Sequence, residues 1–149
     1  MMLIVASVLV IGATVVALYF CVPWAYGRWS QKALRRRVVG RDALVVTLDD
    51  GPGRVLTPAI LQMLAAKGWK ATFFLLGRNI RGNEDLVRSI REQGHEIGSH
   101  SFDHLDAWKT APWRCISDIR RGQKAIDEAL GVSGGKYAFR PPRGRLNLA

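Results

Sequence analysis

From Met1 to Val22 the chain carries no charged side chain, a run that meets the roughly 20 apolar residues needed to cross a bilayer as a helix. Pro23, Trp24, Tyr26 and Trp29 follow, and aromatics at that point suit the headgroup layer. The run lacks the basic start and small-residue cleavage site of a secretory signal, so residues 1–23 read as an uncleaved transmembrane anchor. Beyond residue 41 the pattern breaks into short blocks. Ala43-Leu44-Val45-Val46-Thr47-Leu48 is a β-branched apolar run, cut off by Gly51, Pro52 and Gly53. Thr57 and Pro58 open a helical block with Ile60, Leu61 and Leu64 on one face and Gly68 after it. Ala71 to Leu76 predicts a second strand, Asn83 to Gly94 a second helix, and Glu96 to Ser99 a short third strand. Thr110 and Pro112 then start an amphipathic helix through Ile116, Ile119, Ile126 and Leu130 that Gly131 closes, and Tyr137-Ala138-Phe139-Arg140 predicts a fourth strand. Strand and helix alternating over short connections indicate an α/β fold, a parallel sheet or barrel with helices outside it.

Charge refines the domain plan. The 149-residue chain has a formal net charge of +10, but Arg28, Lys32, Arg35, Arg36, Arg37 and Arg41 form a block without acids. Removing those six from the 22 Lys and Arg leaves 16 against 12 acids, so residues 42–149 carry only about +4. That balance argues against a nucleic-acid partner. Residues 24–41 read instead as a basic juxtamembrane linker lying on anionic lipid headgroups, each charge contributing about 1 kcal/mol. By the positive-inside rule this block places the C-terminal domain in the cytoplasm. Cys21 lies in the span and Cys115 in a predicted helix, which gives no sign of a disulfide.

Candidate chemistry collects at predicted strand ends. Asp49-Asp50 closes the first strand, where two adjacent carboxylates are either a solvated Asp-Asp-Gly turn or a site that needs a cation or hydrogen bonds to stay ionised. His100 and His104 follow the third strand, and on a helical turn this spacing lets both rings reach one metal. Ser101 stands where a metalloprotease helix needs its glutamate, so that motif is excluded. With Asp50 added, two histidines and a carboxylate make a three-ligand open site that leaves room for water and a substrate oxygen. Asp49 is then free to act as general base. The same ligand types serve iron oxygenases, so metal analysis is needed to separate the two chemistries. Asp103 is either an orienting partner for a ring or a solvated loop acid, His95 reads as structural, and Arg120-Arg121 with Lys124 reads as a solvated helix face.

Three motifs in order, Thr47-Leu48-Asp49-Asp50-Gly51, His100-Ser101-Phe102-Asp103-His104 and Arg140-Pro141-Pro142-Arg143-Gly144, resemble those of the polysaccharide deacetylases with a NodB homology domain, carbohydrate esterase family four. Lys70-Ala71-Thr72-Phe73-Phe74 and the approach from Gly94 to Ser99 are similar to that family too, and the likeness runs from about residue 42 to 144. The resemblance implies a distorted (β/α) barrel, over residues 42–149, that removes acetyl groups from N-acetylated glycans such as peptidoglycan with a divalent metal, commonly zinc. It matches Asp49 to the catalytic base and Asp50, His100 and His104 to the metal ligands. Arg140 matches the residue that holds the base, and the backbone N–H of Arg143 the oxyanion donor.

Two residues depart from the family pattern: Leu48 stands where Phe is usual, and Arg143 where Tyr is common. The family continues past its Arg-Pro-Pro segment with pocket-lining and Leu-x-His motifs. Their place lies beyond Ala149, so the chain is expected to be a C-terminally truncated, incomplete barrel with reduced or no activity. The other class of function open to it is a noncatalytic, membrane-tethered glycan-binding protein, with Trp108 and Trp113 stacking on sugars or simply packed. Glycans of this kind lie mostly outside the cytoplasm, which sets the family against the basic block over sidedness and tilts the expectation to an extracytoplasmic domain.

Overall fold

The computed structural model describes residues 1–39 and 44–146, so the expected boundary at residues 41 and 42 lies outside the described residues, as does the C-terminal end of the domain at 147–149. Two units form, an N-terminal helix and an α/β unit over Leu44–Arg145. Helix α1 runs Met2–Val38, and its segment Leu3–Ala33, which contains an 18-residue stretch of mean hydropathy 2.6, is long and apolar enough to cross a membrane. Within it Ser7 and Thr14 turn their hydroxyls onto the helix, donating to the carbonyls of Leu3 and Val10 at 2.9 and 2.8 Å. Through residue 38 the basic segment expected as a linker continues the helix. Pro23 removes one ladder bond, but Ala25, Gln31, Lys32, Ala33 and the arginines are strong helix formers and carry the ladder past it.

The α/β unit is built on three strands, β1 (Val46–Gly51), β2 (Ala71–Leu75) and β3 (Glu96–Ser99), paired in that order and all parallel. Helix α2 (Leu56–Lys67) links β1 to β2. The short α3 (Gly77–Ile80) and α4 (Glu84–Glu92) link β2 to β3, and α5 (Pro112–Leu130) follows. Glycines in the left-handed conformation end α2 and α5, Gly68 at φ 64° and Gly131 at φ 65°, as their positions after the apolar periods require. Central strand β2 is buried, with Phe73 and Leu75 packed against Leu61 and Leu64 of α2, Val87 and Ile90 of α4, Ile97 of β3 and Ile126 of α5. The open parallel sheet with helices around it matches the α/β class expected from the alternation, as an incomplete barrel would.

Two boundaries differ from expectation. Strand β1 begins three residues later than the apolar run, leaving Leu44 and Val45 73% and 65% exposed. Val46 is the first residue with a partner, Ala71, because β2 starts there and extension has no hydrogen bonds to gain earlier. The expected fourth strand at 137–140 is a single parallel bridge between Ser99 and Phe139. Ser99 donates to the Ala138 carbonyl at 2.8 Å and Arg140 donates to the Ser99 carbonyl at 3.0 Å, and then Pro141 and Pro142, lacking N–H groups, stop the ladder. Asp127 guides this segment back to the sheet by accepting from Tyr137 Oη at 2.6 Å and from the Gly134 amide at 2.9 Å. Burial, then this bond, push the phenol up to about 12.

His95 is structural, as expected. It is 4% exposed, packs on Phe73, and its Nδ1 accepts from the Ala71 amide at 3.3 Å, tying the entry of β3 to that of β2. Burial, and then the charge of Lys70, hold its pKa below the ordinary 6.5. The folded state therefore favours the neutral ring: its contribution to stability is complete above about pH 6.5 and is lost as the pH falls through the depressed value. Denaturant midpoints should drop on acidification over that range, and the His95→Gln chain should lack this component of the drop. An equal drop in both chains would exclude His95 as its source.

Candidate metal centre

The two adjacent carboxylates acquire different surroundings from one irregularity in β1. Pairing with β2 proceeds to Asp49 opposite Phe74 and resumes at Gly51 opposite Leu75, so Asp50 is an extra residue in the ladder and sits at φ 66°. A bulge re-aims the side chain it carries. The side-chain amide of Asn79, on α3, donates to the Asp50 carbonyl at 2.7 Å, and the Leu76 amide holds the Gly51 carbonyl at 2.9 Å. Asp49 meets Arg140 instead. The Arg140 Nη1 donates to Asp49 Oδ1 at 2.8 Å and to Thr47 Oγ1 at 3.0 Å, and its guanidinium lies over the Phe74 ring at 4.1 Å.

His100 follows β3 and is 3% exposed. Its amide donates to the Leu75 carbonyl at 2.9 Å, and its Nδ1 lies 2.7 Å from the Arg140 carbonyl. A carbonyl can only accept, so Nδ1 carries the proton and the Nε2 lone pair is free to bind a cation. That Nε2 lies 3.7 Å from Asp50 Oδ1, and His104 Nε2 lies 3.7 Å from the same oxygen.

The histidine segment is a loop and not the helical turn that the spacing suggested. Ser101 and His104 are left-handed, at φ 70° and 60°, which interrupts any helical run, and the loop is fastened from outside. Asp118, 2% exposed on α5, accepts from the amides of Phe102 and Asp103 at 3.3 and 3.0 Å. The Gly77 and Arg78 amides, at the start of α3, donate to the carbonyls of Ser101 and Phe102 at 2.9 and 3.2 Å. On α5, a Cβ at Gly122 would stand 2.6 Å from the Ser101 backbone, so only glycine lets the helix approach this closely.

Asp103 does not face either ring: its carboxylate pairs with Arg121 Nη1 at 2.9 Å. Arg121 also lies over the Phe102 ring at 3.9 Å, so the expected solvated face of α5 is partly a clamp on the loop. The group that orients His100 is the Arg140 carbonyl. Asn79, Asp118 and Gly122 escaped the sequence reading, since each acts on main-chain atoms and lacks a motif of its own. Trp113 is 73% exposed and lines an open groove with Ile116, Arg120 and Lys124, none of which belongs to the histidine cluster.

Beyond Arg140 the chain makes a tight turn, Pro142–Gly144, with Arg143 at φ 56°. Arg145 Nη1 then reaches Asp106 Oδ2 at 2.5 Å, two residues past His104, and its guanidinium covers the Trp108 ring at 4.6 Å. Burial raises the Asp106 pKa, but the Trp108 amide and the charges of Arg145 and Arg143 outweigh it and hold the carboxyl below its ordinary value.

The donor set fits a divalent cation. Asp50, His100 and His104 each offer a ligand atom, all within 4.8 Å of one another. Two ligands about 2.1 Å from a zinc ion at a tetrahedral angle are separated by about 3.4 Å, so the 3.7 Å spacings need only a small contraction. Four non-glycine residues have positive φ among the described residues, Asp50, Ser101, His104 and Arg143, and all four lie in these three loops. Strained backbone of this kind collects at functional sites.

Fold and site together define an open-sheet α/β protein with a two-histidine, one-carboxylate cluster beside an arginine-held carboxylate. The polysaccharide deacetylase profile matches residues 36–149, and the chain belongs to that family. It is 38% identical over 104 residues to the peptidoglycan-N-acetylglucosamine deacetylase PgdA of Listeria monocytogenes, covering 70% of this chain and 22% of that protein. A peptidoglycan-N-acetylglucosamine deacetylase of Bacillus cereus is 35% identical over 106 residues, covering 71% and 48%. The structure of the peptidoglycan deacetylase PdaC from Bacillus subtilis superposes with a TM-score of 0.66 at 28% identity, covering 73% of this chain and 53% of the other. The chain thus spans less than half the length of these two curated relatives.

Proposed function

We propose that the α/β unit hydrolyses the acetamide of an N-acetylated glycan of the peptidoglycan type. One observation carries the reading most directly: Arg140 holds Asp49 through its side chain and His100 through its carbonyl, so a single residue sets the base against the cluster. Asp50, His100 and His104 would hold the ion, with zinc suited to this nitrogen and oxygen set. A bound divalent metal would supply Lewis acidity, polarising the amide carbonyl and lowering the pKa of a nearby water. Asp49 takes the proton from that water as it attacks the carbonyl carbon, and Arg140 keeps the carboxylate oriented for the transfer. The Arg143 amide donates to the oxyanion, and collapse breaks the C–N bond as the proton held by Asp49 passes to the leaving nitrogen, giving acetate and an amine.

The test is acetate release from N-acetylglucosamine oligomers by the full chain, with zinc and with a chelator. Release that the chelator abolishes is the expected result. Saccharide binding without release would favour the tethered glycan binder, for which half-exposed Trp108 is the relevant observation. The α/β unit is proposed to face away from the cytoplasm, where such glycans lie, against the pull of the basic residues after the apolar run. A reporter active only in the cytoplasm, fused after Ala149, should stay silent; activity would reverse the orientation.

A further inference from the structure

The outer side of α5 carries a pattern that the candidate metal centre does not use. Trp113, Ser117, Arg120 and Lys124 recur at three- and four-residue spacing and form one exposed stripe along the helix. Half-buried Ile116 lines the open groove beside Trp113. Asp118 and Gly122 lie on the opposite side of α5, against the amides and backbone of the histidine loop. One helix thus fastens that loop with one side and offers a tryptophan and cations to solvent with the other.

The acids of α5 leave this stripe positive. Asp118 is buried, and Asp127 accepts from Tyr137 and the Gly134 amide. Glu128 meets the stripe at its C-terminal end, 3.5 Å from Lys124, but both side chains are largely exposed and solvent weakens the pair. An exposed indole in line with long cationic side chains is the composition of a helix face that lies in a lipid headgroup layer. There the ring enters the apolar boundary while guanidinium and ammonium groups meet the phosphates.

The chain also supplies the means of keeping lipid within reach. Leu3–Ala33 is long and apolar enough to cross a bilayer, and residues 39–45 join α1 to β1. A tether this short keeps a tethered unit at an effective concentration in the millimolar range, where a few cations suffice, each contributing about fivefold to binding near an anionic surface. We infer that the face of α5 bearing Trp113, Arg120 and Lys124 docks on anionic lipid headgroups. The inference rests on α1 as a membrane anchor and is independent of the deacetylase reading. A helix with its side chains is about 10 Å across, so docking holds the histidine loop, on the far side of α5, about that distance from the headgroups. Ligands of the centre are then those that lie close to the membrane.

The test places the full chain in nanodiscs of phosphatidylcholine, with or without phosphatidylglycerol, and reads a fluorophore attached at Ser117→Cys in a Cys21→Ala background; Cys115, buried, stays in place. The same fluorophore at Gln62→Cys, an exposed position on α2, is the control. Quenching by a nitroxide on the lipid headgroups should be several-fold stronger at 117 than at 62 in anionic discs, equal at the two positions in neutral discs, and reduced by added salt. Arg120→Gln with Lys124→Gln should weaken docking about 25-fold and bring quenching at 117 to the level at 62, with an unchanged helix signal and thermal midpoint showing that the fold is kept. Equal quenching at 117 and 62 in anionic discs, equal quenching at 117 in both kinds of disc, or quenching that survives the double substitution would overturn the inference. So would inorganic polyphosphate shifting the emission at 117 where anionic discs give no quenching, which would assign the face to a dissolved polyanion. A chain that does not stay with the discs would remove the anchor and the docking face together.

Discussion

Acetate release by the Asp49→Asn chain should be slower than that of the parent by about 10²- to 10⁴-fold, the range expected for loss of a general base. Asparagine keeps the volume of the side chain and an oxygen that can still accept from Arg140 Nη1, now at 2.8 Å from the carboxylate, but it has no basic oxygen for the proton of water. Stability should change little, since the Asp49 and Arg140 side chains are 37% and 35% exposed and solvent screens the pair. Zinc content should be unchanged, because Asp49 is not among the clustered ligands. A rate within a factor of about two of the parent would remove Asp49 from the role of base. A parallel loss of zinc would mean that the labour within the Asp49-Asp50 pair is divided otherwise.

The second large effect should appear in affinity. Asp50→Ala should weaken zinc binding by at least about 10²-fold, because removing a group that merely supports a metal ligand already costs up to that much. Competition against a zinc-chelating dye measures it. Asp50 is the cleanest of the three positions to change. Its side chain is 64% exposed, so truncation leaves no cavity, whereas His100 is 3% exposed and its loss also strands the Arg140 carbonyl. Zinc affinity equal to that of the parent would exclude Asp50 as a ligand.

Much of this architecture is legible in the sequence for identifiable reasons. Apolar periods bounded by Gly68 and Gly131 locate α2 and α5, since the left-handed residue that ends a helix is chemically conspicuous. The strand ends were legible because carboxylates and histidines abruptly replace apolar residues there. Less visible was anything acting through main chain. The bulge at Asp50 depends on pairing with β2, a long-range event no local pattern records. The histidine loop is shaped by Asp118 and by the close approach at Gly122, both on a helix whose periodicity gives each an ordinary appearance. Asn83, a residue type that commonly caps a helix start, does precede α4, but its amide donates to the Asn79 carbonyl at 2.8 Å and no side-chain cap forms. Local preference located the helix start, and tertiary contact decided what the side chain does there.

The four left-handed residues carry a consequence for anyone seeking a hardier form of this protein. Each of Asp50, Ser101, His104 and Arg143 sits where glycine would relieve backbone strain, at roughly 1 kcal/mol or more apiece. A library screened only for heat resistance would therefore drift toward glycine at 50 and 104, and in doing so discard two of the three clustered donor side chains. Resistance and metal uptake would have to be screened together, or the hardiest survivors would be those in which the centre had been erased.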